Sequence, residues 1–270
     1  MFDEATHAYP DAEARRHVES LIATVCEAGA LAKARFDSDL RLDDKAHGDI
    51  VTDVDLACET IIIAGIRALA PTHHIHSEEA GVLDGASDWS WIVDPLDGTH
   101  NYVSGIPLFG MIVSLCFRGE PVAAILHDAH REETVHGTRH GPVFLNGAPL
   151  PALSPEKPLR SATIGWTQGY AVGDDPTARR VRDRVEANAK RLMATWSPVI
   201  ETMKVLTGKF GGMVSYDGEF TDLSAARALV PALGGKVARF SRGGEDRRFV
   251  VGAAPYVDAL LAEIGAVMSD

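Results

Sequence analysis

Apolar residues recur at helical spacing over residues 11–36, where Val18, Leu21, Ile22, Val25, Gly29, Ala32 and Phe36 share one face. The pattern predicts an amphipathic helix with Asp11 as its N-cap. Residues 37–48 are polar and charged and predict a loop. The run from Asp49 to Asp55 predicts a short strand or turn entering a second helix over 56–69, which Pro71 ends. Residues 72–90 show no period. Strand patterns follow at 91–94, 110–117 and 122–126, the last two joined by a turn at Arg118–Pro121, and Asn146-Gly147 marks another turn. Prolines 149, 151, 155 and 158 suggest a division into an N-terminal unit, 1–152, and a C-terminal unit, 153–270. The second half predicts strands near 161–166, 212–216, 236–240 and 248–252. Helices are predicted at 176–191, 199–210, 222–233 and 255–267, the third closed by Gly234-Gly235. Such alternation predicts a mixed α and β fold built in layers.

Composition narrows the function. A chain of 270 residues, 46% of them hydrophobic, supports a sizeable core. Its net charge of −12 argues against a broad nucleic-acid-binding face. Cys26, Cys58 and Cys116 are scattered and form no CxxC pair, so buried free thiols in a reducing cytoplasm are expected. The N-terminus carries Asp3, Glu4, Asp11 and Glu13 without an apolar run, which speaks against a signal peptide. No stretch is long and apolar enough to predict a membrane span.

The chemistry concentrates in Trp91-Ile92-Val93-Asp94-Pro95-Leu96-Asp97-Gly98-Thr99. An apolar strand ends in two carboxylates three residues apart. They repel unless positive charge lies between them, and a divalent metal is the usual solution. Gly98 permits a tight turn whose N–H groups can face an anion. Asp55, Glu78 and Asp222 also fall at element ends. Each has an ordinary reading: Asp222 as a helix N-cap, Asp55 as a solvated turn residue, Glu78 as surface charge. Together with Asp94 and Asp97 they offer the hard oxygen ligands of a site for two or three magnesium ions. His73, His74 and His76 lack zinc-site spacing and are expected to be loop histidines. Arg179, Arg180, Arg182 and Arg184 alternate with acids and predict a solvated helix face.

The segment Asp94-Pro-Leu-Asp-Gly-Thr99 resembles the signature of the inositol monophosphatase family, within the lithium-sensitive, magnesium-dependent phosphatases that include fructose-1,6-bisphosphatases. Lys45 with Asp49–Asp55, Ser77-Glu78-Glu79, Gly141–Gly147 and Thr221-Asp222 through Gly235 resemble the family's other motifs, in order. The resemblance implies a layered α/β/α/β/α sandwich of the sugar-phosphatase type. It implies that Glu78, Asp94 and the Leu96 carbonyl hold one Mg2+, and that Asp94, Asp97 and Asp222 hold a second. Asp55, Thr99 and Glu78 would act on the attacking water, and the Gly98 and Thr99 N–H groups would bind phosphate. A third ion, Mn2+ as a substitute and Li+ as an inhibitor stay open. The implied protein is a cytoplasmic homodimer acting on a small phosphorylated metabolite, inositol monophosphate by family default. Histidinol phosphate, fructose-1,6-bisphosphate and 3′-phosphoadenosine 5′-phosphate are alternatives. A non-catalytic regulatory or binding protein on the same fold is the alternative of another class.

The departures from the family fall on the substrate side. A Trp before the last ligand is Thr221 here, and a small-residue stretch reads Trp196-Ser197-Pro198-Val199. The carboxylate that grips inositol hydroxyls aligns with Ser215, with Asp217 or Glu219 as possible replacements. Trp196 is a candidate stacking surface, with a packing role as the alternative.

Overall fold

The computed structural model describes residues 10–45, 49–154, 158–240 and 247–269. Asp3, Glu4 and Pro155 lie outside them. Helix α1 (Asp11–Arg35) starts after Pro10, which occupies the N-cap without a side-chain bond. Asp11 is therefore not the cap. It sits in the first turn, where its charge faces the helix's positive end. Helix α2 (Asp53–Leu69) begins three residues earlier than predicted because Thr52 caps it. The Val54 and Asp55 N–H groups donate to Thr52 Oγ1, and the Thr52 N–H donates to Asp55 Oδ2. The loop predicted over 37–48 contains strand β1 (Leu42–Asp44), antiparallel to β2 (Ile50–Thr52). Leu42 is exposed, so no buried alternation marks that strand.

A mixed eight-stranded sheet holds β3 (His74–Ser77), β4 (Gly81–Leu83), β5 (Trp89–Asp97), β6 (Gly110–Phe117), β7 (Glu120–Asp128), β8 (Glu133–Thr138), β9 (Val143–Leu145) and β10 (Ala148–Pro149). Their order is β10-β9-β8-β7-β6-β5-β3-β4. Residues 72–90 thus carry two strands where no regular structure was predicted. The reason is chemical: β3 is mostly polar and β4 is an exposed edge. His73 and His74 belong to this framework. Trp91 Nε1 donates to His73 Nδ1, and the Gly85 N–H donates to His74 Nδ1.

The second sheet holds β11 (Thr163–Gln168), β12 (Arg191–Met193), β13 (Gly212–Tyr216), β14 (Gly235–Arg239) and β15 (Phe249–Ala253), ordered β12-β11-β13-β15-β14. The remaining helices are α3 (Thr99–Val103), α4 (Pro176–Asn188), α5 (Pro198–Leu206), α6 (Phe220–Ala232) and α7 (Ala254–Ser269). Helices α1 and α2 cover the large sheet, α5 and α6 lie between the sheets, and α4 and α7 cover the second sheet. The layering is α/β/α/β/α. The division suggested at 152/153 falls between β10 and β11. One apolar core, with Ile112, Val199 and Leu229, spans both sides of it. The arginines of α4 lie outward, with Arg179 pairing Asp174 and Arg184 pairing Glu263. No helix among the described residues is long and apolar enough to cross a membrane.

Candidate active site

Strand β5 runs through the middle of the large sheet and ends at the site. In a regular strand, residues three apart face opposite sides. Here Asp94 pairs with Ile112 and Asp97 with Gly110, so two residues on β5 oppose one on β6. This bulge turns both carboxylates to the same side. Pro95 lies inside it, where a residue without an N–H can be tolerated in a strand. The Leu96 N–H donates to Asp94 Oδ1 at 3.1 Å and fixes the local turn. Gly98 follows with φ +84°, and a Cβ there would stand 2.7 Å from the Leu108 carbonyl. Only glycine enters this turn without strain.

Four helices begin around the bulge. Helix α2 supplies Asp55 from its first turn, α3 supplies Thr99, and α6 supplies Asp222. The α5 N-terminus meets Asp97, whose Oδ2 accepts from Ser197 Oγ at 2.6 Å and from the Val199 N–H at 2.8 Å. Asp222 is the third residue of α6 rather than its N-cap. Glu219 takes that place, and its N–H donates to Asp222 Oδ2 at 3.1 Å. Asp94, Asp97 and Asp222 bring one oxygen each within 4.8 Å of one another.

Their electrostatics call for a cation. Burial first, then Glu78, Asp97 and Asp222, push the Asp94 carboxyl well above the usual range. Burial and Asp97 do the same to Asp222, against the pull of the Glu219 N–H. Burial lifts Asp97 to about 7, although the Ser197 and Val199 bonds hold it down. Three carboxylates so close, Asp94 and Asp97 buried and Asp222 half-buried, are stable as anions only with compensating positive charge. Hard oxygen donors from several elements fit divalent magnesium.

Glu78 follows β3 and lies at the same cleft, but its Oε1 accepts from Lys45 Nζ at 2.9 Å. The same ammonium contacts Glu79 Oε1 and lies 3.6 Å from Asp49 Oδ2. On the other side, Thr99 Oγ1 lies 2.9 Å from both Asp55 Oδ1 and the Leu96 carbonyl. Burial raises the Asp55 carboxyl, opposed by bonds from Thr52 and Thr99.

The substrate-side candidates separate. Ser215 is fully buried in β13, and its hydroxyl has no partner among the described residues. Asp217 is held by Arg248, whose Nε and Nη2 both lie 3.0 Å from its Oδ2. Neither lines the cleft, whereas Glu219 and Trp196 do. Ser197 is buried and braces Asp97. Sequence reasoning missed Tyr170, which stacks near Trp196. It also missed Asn101 and Glu201, which hold the backbone of residues 195 and 196. Only the position of Tyr170 just past β11 hinted at a site role.

The layered α/β/α/β/α fold, with carboxylates clustered at a strand bulge, is that of the sugar-phosphatase type. The chain belongs to the inositol monophosphatase family, whose model matches residues 14–266. A probable inositol 1-monophosphatase ImpA of Mycobacterium tuberculosis is 32% identical over 234 residues, covering 82% of this chain and 85% of the relative. The Nus factor SuhB of Pseudomonas aeruginosa is 29% identical over 215 residues, covering 76% and 78%. A solved inositol monophosphatase/NADP phosphatase, complexed with Mg2+ and phosphate, superposes with a TM-score of 0.76 at 19% identity. The alignment covers 91% of this chain and 94% of that chain.

Proposed function

We propose that the protein is a magnesium-dependent phosphomonoesterase of small phosphorylated metabolites. The observation that carries this reading is the carboxylate triad Asp94, Asp97 and Asp222 beside the Asp55–Thr99 pair. Mg2+ held by Glu78, Asp94, the Leu96 carbonyl, Asp97 and Asp222 would supply Lewis acidity to the water and the leaving oxygen. The protein's own groups do the rest. Thr99 Oγ1 orients a water and passes its proton toward Asp55, whose burial favours uptake. The water oxygen bonds to phosphorus as the ester P–O bond breaks. The leaving oxygen takes a proton from solvent, and Asp55 returns its own to solvent, giving an alcohol and inorganic phosphate. The Gly98 and Thr99 N–H groups, at the start of α3, face the phosphate.

Inositol 1-phosphate, the substrate class in the name of the ImpA relative, is the first ester to assay. Phosphate release with Mg2+, its loss with EDTA, and its loss in Asp94→Asn are expected. Magnesium-independent release, or full activity in Asp94→Asn, overturns the assignment. The likeness to a Nus factor favours one second reading, a binding protein on the same fold. No phosphate release from a broad panel of monoesters would support it. A homodimer is part of the proposal, and a single-chain mass by light scattering contradicts it.

A further inference from the structure

A second cavity, of about 430 Å³, shares no lining residue with the carboxylate cleft. It lies between the end of α5, the starts of β11 and β13, and the start of α7. That volume is ordinary for a pocket that takes a small metabolite. Helix α5 separates the two sites. Its first turn meets Asp97, its last turn reaches the cavity at Leu206, and its 9 residues span about 13 Å.

The lining is positive in an acidic chain. Lys190 and Lys209 border the cavity, and the described lining residues include no Asp or Glu, although the chain carries a net charge of −12. Neither ammonium has an ion-pair partner among the described residues. Lys209 acts on Glu133 only at longer range, and Glu133 is bonded to Arg131 at 2.8 Å. The carbonyls that end α5 are already engaged: Met203, Lys204 and Val205 accept from the N–H groups of Thr207, Lys209 and Gly208. Helix α7 adds donors to the same wall. Ala253, just before it, has no side-chain oxygen to cap it, and its first turn holds no acid, so the positive end of its dipole is uncompensated there. Tyr256, in that turn, is only 9% exposed and lines the cavity, yet its hydroxyl has no hydrogen-bond partner among the described residues. An unpaired buried hydroxyl costs free energy, and a bound ligand would satisfy it.

We propose that this cavity binds a small metabolite through a phosphate group, held by Lys190, Lys209, the Tyr256 hydroxyl and the N–H groups that open α7. Two ammoniums, a helix N-terminus and a buried hydroxyl present donors from different directions, and no lining carboxylate opposes an anion. A tetrahedral phosphate, with oxygens on all sides, uses such a shell more fully than a planar carboxylate does. Because the cavity and the cleft share no residue, this binding does not depend on the chemistry of the cleft.

The test uses 3-phosphonopropionate, whose C–P bond a phosphomonoesterase does not cleave. The wild type with Mg2+ is labelled with acetic anhydride, and each lysine is read by mass spectrometry. The probe should protect Lys190 and Lys209 several-fold and leave Lys33 and Lys236, which are paired with Glu132 and Asp258, unaffected. Succinate, which carries a carboxylate in place of the phosphonate, should need about tenfold or more concentration for the same protection. Lys209→Ala, at an exposed position, should raise the concentration that half-protects Lys190 about tenfold. Tyr256→Phe should raise it several-fold without lowering the melting temperature, because no bond of the free protein is lost. Asp94→Asn, which alters only the cleft, should leave the protection of both lysines unchanged. Absence of protection at millimolar probe, equal protection by succinate, or protection of Lys190 unchanged in both Lys209→Ala and Tyr256→Phe overturns the proposal. Loss of protection in Asp94→Asn also overturns it, since the probe would then be bound in the cleft.

Discussion

Replacing Asp97 with Asn should stabilise the metal-free protein at alkaline pH. The Asp97 carboxyl is lifted from an ordinary 3.8 to about 7, mainly by burial. At about 1.4 kcal/mol per pH unit, ionising it in the fold costs about 4 kcal/mol above both values. A proton shared with Glu78 or Asp94 lowers this to roughly 2–4 kcal/mol. The sign follows from proton binding. Between 3.8 and about 7 the folded state keeps a proton that the unfolded chain has lost. That contribution is complete below 3.8 and disappears as pH rises through about 7. Asn carries no charge, and its carbonyl oxygen can accept the same Ser197 and Val199 bonds. In EDTA at pH 8, Asp97→Asn should therefore melt higher than the wild type, at roughly 2–4 °C per kcal/mol for a chain of this size. At about pH 5 the gap should narrow, because the wild-type carboxyl is then largely protonated. Added Mg2+ should raise the wild-type melting temperature and leave the variant unmoved. A variant that melts below the wild type in EDTA at pH 8 would refute the reasoning, because the bonds to Asp97 would then outweigh its buried charge.

Thr52→Ala removes the α2 cap and a partner of Asp55. Urea denaturation should show a loss of about 1–2 kcal/mol, turnover should fall, and Thr52→Ser should recover both. Gly98→Ala forces a Cβ to 2.7 Å from the Leu108 carbonyl at positive φ. It should cost about 1–3 kcal/mol by denaturation and lower activity more than stability alone explains. Ile125→Ala empties a fully buried position in the core under α1 and α2, away from the cleft. It should cost about 2–5 kcal/mol while leaving kcat of the folded enzyme unchanged.

The layered architecture was legible because the helices and inner strands bury clear apolar stripes. Strand β5 announced itself by its apolar run over 91–94, but the bulge around Pro95 that extends it and brings Asp94 and Asp97 to one side was not legible there. Strands β3 and β4 were hidden because histidines and an exposed edge replace the expected alternation. Contacts between distant segments were hidden for another reason. Lys45 meets Glu78 across 33 positions, and Ser197 meets Asp97 across 100. No local pattern encodes such pairings. Nor does composition reveal the left-handed backbone of Trp196, φ +53°, since its conformation is imposed by Asn101, Glu201 and Asp97 from three other places in the chain.

The same anchoring links the two halves of the site. Asp97 uses one oxygen, Oδ2, for Ser197 and Val199, leaving Oδ1 free of those bonds. The segment that presents Trp196 is therefore tied to a side chain proposed as a metal ligand. A change in the charge of Asp97 changes the strength of two bonds that hold residues 197 and 199, because bonds to an anion are stronger than bonds to a neutral acid. Cations bound as proposed would keep Asp97 ionised and so tighten the loop that carries Trp196. Under that proposal the metal cluster and the Trp196 loop would be coupled through a single carboxylate, even though the residues that form them lie about a hundred positions apart.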